Sequence, residues 1–541
     1  MSERIRHRHN EEHDETGLLS QDLDDHSAES HTHSNNGALL ASMERSLNGA
    51  IVHQDEEDLN NVLLSSSSRS HKEYVVYTER WFILAVFSLL ALVQSCGWNT
   101  WGPIENTASV VLGWKQSTFA VLANWGAIVF VLTAFFFSWL LHAKGLRVAV
   151  LLAAGALVSG MGIRCLPVPV HSMIWTANIG QVIIGLSSPI LMAGVTTISA
   201  VWFPTNERTT ATAISSSTAY LGVAVSFLIG PQIVPEILPV HTNFSTVSPI
   251  DIAAEGDDIL EINPADYDPV EVQQCLRQIK LLLFIEFIWT LLLLIVALIY
   301  FPSAPITPPT ASAIAKREDM KEGLLQIVKK KEFWIPALIF GMTTGFFNSW
   351  NTQLVAIFDN KADQSETSWI GFYSNLAGVI GGIIFGNFVD RLGGKMKAVL
   401  IILMFGACGG FVWVLLLANG HIPYSTVYLY TSVILFAFFV NSMVPIIFEV
   451  TAEGAFPTGE ETSCMFMTWL GNVTALIFLL LPIFISNFSL TWLNWFMLGA
   501  LGMSLVLLLF YKEHYARKEF DVTHHDDVEE EECDLNPTIH T

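Results

Sequence analysis

The chain has 541 residues, of which 52% are hydrophobic and only 14% charged, with a mean hydropathy of +0.46. So much apolar surface excludes a soluble domain and implies an integral membrane protein. The net charge of −23 is confined to three stretches: 14 acidic against 6 basic residues in 1–72, 9 acidic and no basic ones in 236–271, and 10 against 3 in 512–541. The membrane body is left near neutral, which excludes nucleic acid as a partner on grounds of charge.

Residues 1–80 are rich in His, Ser, Asn and acidic side chains and hold too little apolar surface to fold, so they are expected to form a disordered cytosolic tail. Within them Asp14, Leu18 and Leu19 fit the acidic dileucine pattern that adaptor proteins read as a sorting address to endosomes or lysosomes. Eight histidines in this tail are irregularly spaced, as in a solvated segment rather than a metal site. No cleavable signal core precedes the first apolar run, so that run is expected to serve as the insertion signal. The six cysteines show no metal-ligand or C-x-x-C spacing and give no disulfide framework; a Cys165–Cys275 bridge is the one pairing left open.

Twelve apolar spans follow, near 81–103, 116–141, 146–166, 172–202, 208–232, 278–301, 333–358, 367–389, 396–418, 423–449, 461–486 and 490–511. Each can cross a hydrocarbon core of about 30 Å. They divide into an N-terminal six-helix bundle, 81–301, with an acidic lumenal loop at 236–275, and a C-terminal six-helix bundle, 333–511. A Pro-rich, then basic linker at 302–332 joins the two bundles, and an acidic cytosolic tail covers 512–541. Lys144, Arg147, Lys316, Arg317, Lys329–Lys331, Arg391, Lys395 and Lys397 all fall on one side, which the positive-inside rule makes cytosolic, together with both termini. The sequons at Asn243 and Asn487 then fall on the opposite side as glycosylation acceptors, whereas the sequon at Asn472 lies within a span.

The stretch GNFVDRLGGK, from Gly386 to Lys395, sits in a tight turn between two spans, and a worn copy, SWLLHAKGLR from Ser138 to Arg147, stands about 248 residues earlier. A second pair, FPTNER at Phe203–Arg208 and FPTGEE at Phe456–Glu461, repeats at nearly the same offset. Such spacing indicates a duplicated architecture of two bundles facing each other. Gly386 is expected to allow close helix approach, Gly393 a sharp turn, and Asp390 with Arg391 to cap or pair with a neighbouring helix end. In the first copy His142 takes the place of the acid. Glu207, Arg208, Glu460 and Glu461 are expected to form a cytosolic gate layer.

Neither a phosphate-binding loop nor a hydrolase motif is present, so neither ATP nor catalysis is expected to drive the protein, and no cofactor is implied. Polar residues inside apolar spans carry the function instead. Gly97, Gly102 and Pro103 flank Trp98, Asn99 and Trp101, so the first span is expected to break there; the seventh, with Phe347, Asn348 and Trp350, has a similar composition. Corresponding broken helices mark a binding site. Gln181 offers a donor and an acceptor to a ligand, or ties helices together. Glu286 has no basic neighbour within a helical turn, which makes it a candidate proton carrier, and Glu449 is a candidate for coupling or gating.

The GNFVDRLGGK turn resembles the loop signature of the major facilitator superfamily. WNTWGPI at Trp98–Ile104, FPTNERTTATAI at Phe203–Ile214 and VPIIFEV at Val444–Val450 are similar to its solute carrier family 49 branch. The resemblance covers roughly Trp81 to Tyr515. It implies a twelve-helix, all-α transporter of two pseudo-symmetric bundles that exports a small organic solute, pyridoxine, from lysosomes with protons. A sister branch, the feline leukaemia virus subgroup C receptors, is implied to move choline and related amines, with haem also proposed. Trp98, Gln181, Phe347 and Glu449 match that pocket by position, while Asn348 stands where a cage tyrosine is expected, which favours a hydrogen-bonded neutral ring over a quaternary ammonium. A choline or amine facilitator, or a nutrient-sensing receptor whose tails recruit partners, are the alternatives.

Overall fold

Apolar runs interrupted by glycine and proline fold into helices that pack in two halves in the computed structural model, which describes residues 75–237, 267–314, 320–352, 364–392, 395–484 and 491–523. Asp14, Leu18, Leu19, Asn243, Gly393 and Asn487 lie outside the described residues. The first half comprises α1 (Arg80–Trp98), α2 (Glu105–Leu112), α3 (Gln116–Arg164), α4 (Met173–Gly185), α5 (Ser188–Trp202), α6 (Arg208–Ile233) and α7 (Pro269–Ile299). Short linker helices α8 (Ala311–Ile314) and α9 (Met320–Lys329) lead to the second half: α10 (Lys331–Phe340), α11 (Phe346–Thr352), α12 (Gln364–Leu392), α13 (Met396–Ala418), α14 (Thr426–Ala455), α15 (Glu460–Phe484) and α16 (Thr491–Phe510). A further helix, α17, occupies 516–523, inside the stretch expected to be an unstructured tail.

Among the described residues nine helical stretches are long and apolar enough to cross a membrane. One of them contains two of the expected spans, because α3 turns at Gly145 (φ 78°, ψ 172°), a backbone conformation that a side chain disfavours. The expected seventh span is α10 and α11 joined by a π-turn at Gly341–Gly345, and the eleventh is α15. Described cysteines Cys165 and Cys275 are both free thiols, so the pairing left open by the sequence is not formed.

Each half has its own apolar core, one built on residues such as Phe87, Leu157 and Ile198, the other on Phe411, Phe436 and Phe448. The halves meet chiefly along α6 with α12 and α3 with α15, and also where α15 packs on α5 and α14 on α6. Gly386 is one reason α12 lies so close on α6: a Cβ there would sit 2.5 Å from the Cβ of Ala213. Gly145, the linker and α17 lie at one end of the molecule, the linker face, opposite the loop face.

Candidate functional site

The first helix does break where the sequence places it. Proline disfavours a helix through its own position, since it lacks the N–H and its ring crowds the carbonyl a turn earlier, and flanking glycines add to the cost. Accordingly α1 stops at Trp98, Asn99 to Trp101 leave the helix, and Gly102–Ile104 form a single 3-10 turn before α2. A break strands backbone carbonyls that must find donors inside a membrane. Gly97 O accepts from Arg164 Nη1 at 2.9 Å, and Trp98 O accepts from Gln181 Nε2 at 2.9 Å. The Thr100 hydroxyl lies 2.8 Å from Glu286 Oε1, and Arg164 Nη2 closes the cluster on Glu286 Oε2 at 2.5 Å.

This cluster bears on two expectations. Glu286 is not partnerless: its base comes from the end of α3, 122 residues earlier in the chain, so no inspection of the α7 sequence could reveal it. Gln181 is 1% exposed and spends its amide on Trp98 O, with Arg164 Nη1 at 3.4 Å from its oxygen, so it ties helices together and supports the break from behind. Arg164 is the residue that sequence reasoning missed, and the only signal was a lone base at the end of an apolar span.

The groups left facing open space are fewer than expected. Trp98 is half-buried, its indole N–H donating to Ala123 O at 3.1 Å and its ring lying against Gly126. Asn99 Nδ2 donates to Ser226 Oγ at 2.8 Å. Asn348 is exposed and hydrogen-bonds Tyr220 across the two halves. Ser226 and Tyr220 both belong to α6, six residues apart, so this helix carries both amides roughly 9 Å apart along its axis. Phe347 and Trp350, expected beside the substrate, are turned into the core of the second half. Trp350 is fully buried, donates to Asn494 Oδ1 at 2.8 Å and packs edge-on against Phe411 and Phe436, and Phe347 packs on the same Phe436.

The seventh span breaks by a different device. It is a π-turn, and at its start the Thr474 hydroxyl of α15 lies 2.9 Å from Gly341 O and 2.8 Å from Gly471 O of its own helix. On the loop face a cavity of about 260 Å³ opens between the halves just above the α1 break, lined by Pro103, Thr107, Phe227, Pro231, Ser368 and Trp369 among others.

The linker face is closed by polar contacts between the halves. Asp390 caps the start of α6, accepting from Thr209 N at 3.2 Å, Thr210 N at 2.7 Å and Thr210 Oγ1 at 2.6 Å. At the equivalent place in the first half, His142 Nδ1 lies 2.7 Å from Glu461 Oε1, so the histidine joins the halves where an acid was expected. Glu449 accepts from Ser199 at 3.3 Å and Thr212 at 2.5 Å, both in the first half, which places it in the closure rather than beside Trp98. Of the other expected gate residues, Arg391 is exposed, Glu207 pairs with Arg80 at 3.0 Å within its own half, and Arg208 is buried against Asp521 of α17 at 3.0 Å.

Comparison with known proteins agrees with this architecture. The family model for the Major Facilitator Superfamily matches residues 75–463, and the fold is similar to that of the proton:xylose symporter XylE, with a TM-score of 0.58 at 14% identity, covering 82% of this chain and 98% of that one. The family match makes the chain a secondary transporter of that superfamily. A Xenopus tropicalis solute carrier family 49 member 4 homolog is 34% identical over 455 residues, covering 83% of this chain and 94% of its own, and the chain belongs to solute carrier family 49 of that superfamily. A Danio rerio choline/ethanolamine transporter, flvcr2a, is 26% identical over 424 residues, covering 76% of this chain and 80% of its own.

Proposed function

We propose that this transporter moves a small neutral solute with a flat polar ring, of the pyridoxine type, out of lysosomes together with protons, its linker face and both termini in the cytosol. The observation that carries the substrate class is the Arg164–Glu286 pair. Its charges cancel beside the break, so Glu286 does not stand there as a free carboxylate for a cation. Near it stand the half-buried indole of Trp98 and the amides of Asn99, half-buried, and Asn348, exposed. A pyridine ring stacks on the former, and ring hydroxyls both donate to and accept from the latter. Proton coupling follows from the same pair. Protonating Glu286 removes the charge that holds Arg164, and with it the donor on Gly97 O, so proton uptake loosens the segment that presents Trp98 and Asn99.

The cytosolic placement of the linker face rests on the lysines and arginines gathered there, and the lysosomal address on Asp14, Leu18 and Leu19. The second reading, an amine facilitator, draws on the choline/ethanolamine relative. Uptake of labelled pyridoxine and of labelled choline into proteoliposomes, with and without a pH gradient, separates the two. Gradient-driven pyridoxine accumulation is the expected result; choline uptake indifferent to the gradient, with no pyridoxine uptake, would sink the proposal.

A further inference from the structure

The segment after the last span does more than end the chain. Its first part is fastened to the second half: the Tyr515 hydroxyl accepts from Lys395 N at 2.9 Å and Met396 N at 3.1 Å, at the start of α13, and Glu513 caps Lys397 N. Helix α17 then runs under the closure. Arg517, 1% exposed, places Nη2 2.7 Å from Glu449, Nε 3.0 Å from Glu453 and Nη1 3.4 Å from Glu460. Burial works against its charge, but Glu453, Glu449 and Glu460 outweigh it and hold the guanidinium pKa well above its ordinary value. One turn later Asp521 reaches the other half, accepting from Arg208 Nη1 at 3.0 Å and, in the linker, from Ser312 N at 2.7 Å and Ser312 Oγ at 2.9 Å.

The three glutamates are 5% exposed or less, and Glu449 is held at the same time by Ser199 and Thr212 across the seam. Like charges gathered in a dry site repel one another, and each loses its hydration, so they stay ionised there only beside a counter-charge. Among the described residues Arg517 is the base that meets all three. When the linker face opens, water can solvate the carboxylates and the guanidinium is no longer required. The closed state therefore depends on α17 in a way the open state does not.

We propose that α17 is a latch for the transport cycle: Arg517 supplies the charge that lets Glu449, Glu453 and Glu460 be buried, Asp521 hooks the helix to the first half through Arg208, and release of α17 opens the linker face. Whatever binds or displaces 516–523 then sets the access state, whichever solute is carried.

Two thiols report the two faces. Cys464 is fully buried beneath the latch, its sulfur 3.8 Å from Phe448 O and bonded to Thr196 of the first half, so parting of the halves bares it. Ser368 lines the loop-face cavity, and Ser368→Cys reports closure there. Maleimide labelling is followed in nanodiscs, where both faces meet solvent, on proteins carrying one of these thiols and no other cysteine. Arg517→Gln and Asp521→Asn are expected to label Cys464 at least tenfold faster than the unaltered latch and Ser368→Cys several-fold more slowly. Arg517→Lys, which keeps the charge without the fork, is expected to fall between and covers the case in which Arg517→Gln does not fold. Unchanged Cys464 labelling in the folded variants overturns the latch. So does faster Cys464 labelling with Ser368→Cys unaffected, which would mean local fraying. Neither outcome bears on the solute, so the latch and the pyridoxine reading fail separately.

Discussion

Glu286 and Arg164 act as one unit, and substitutions must be judged against the pair. Changing Glu286 to Gln alone strands a buried guanidinium, at a cost of about 3–5 kcal/mol, so a clear fall in melting temperature is expected. Changing both residues to Gln removes both charges and should recover most of that stability, because amides can still donate to Gly97 O and accept from Thr100. Both variants should lose gradient-driven accumulation, while the double variant keeps solute exchange at equal pH. Melting curves with uptake across an imposed gradient test this, and a wild-type gradient response in the double variant would exclude the pair from proton coupling. At Asp390 the carboxylate meets two N–H groups and the helix N-terminus of α6. Asp390→Asn keeps one acceptor oxygen but loses the charge, worth about 1 kcal/mol at such a position. Transport is expected to drop several-fold at unchanged protein abundance; normal initial rates would show that the closure does not need this charge.

At the level of elements, the closeness of α12 and α6 is built on absent side chains. Gly386→Val should leave the protein folded, since each half keeps its own core, but hold the halves apart at the linker face by wedging against Ala213. Transport should fall by at least tenfold with Cys464 labelling faster; a folded variant with normal rates would show that the seam tolerates the extra volume. Much of this level was legible in the sequence, because it is written in local chemistry. Apolar length gave the spans, Gly102 and Pro103 gave the α1 break, and the GNFVDRLGGK turn gave the seam. What escaped was long-range pairing. Arg164 finds Glu286, and Arg517 finds Glu449, across stretches of chain that no periodicity connects. Composition also misled at the C-terminus: an acidic stretch reads as solvated, although three of its neighbours in space are buried carboxylates that need its one well-placed arginine. Phe347 and Trp350 escaped for a related reason, since an aromatic run beside a glycine reads the same whether it lines a cavity or fills a core.

For the whole molecule, orientation and address remain the coarse predictions. Asn243→Gln should reduce a glycosidase-sensitive shift in gel mobility, and Asn243→Gln with Asn487→Gln abolish it, if both sequons face the lumen; an unmodified wild-type protein would reopen the orientation. Leu18→Ala with Leu19→Ala should move the protein from lysosomes to the plasma membrane, and unchanged lysosomal staining would show that another address suffices. The α1 break has a consequence for how such a molecule diversifies. Its backbone is fixed from behind, by Arg164 on Gly97 O and Gln181 on Trp98 O, while Trp98 and Asn99 are presented in front. Side chains on the presenting side can therefore be exchanged over evolutionary time without rebuilding the loop that displays them, so new cargo preferences can arise from one or two substitutions on an inherited frame.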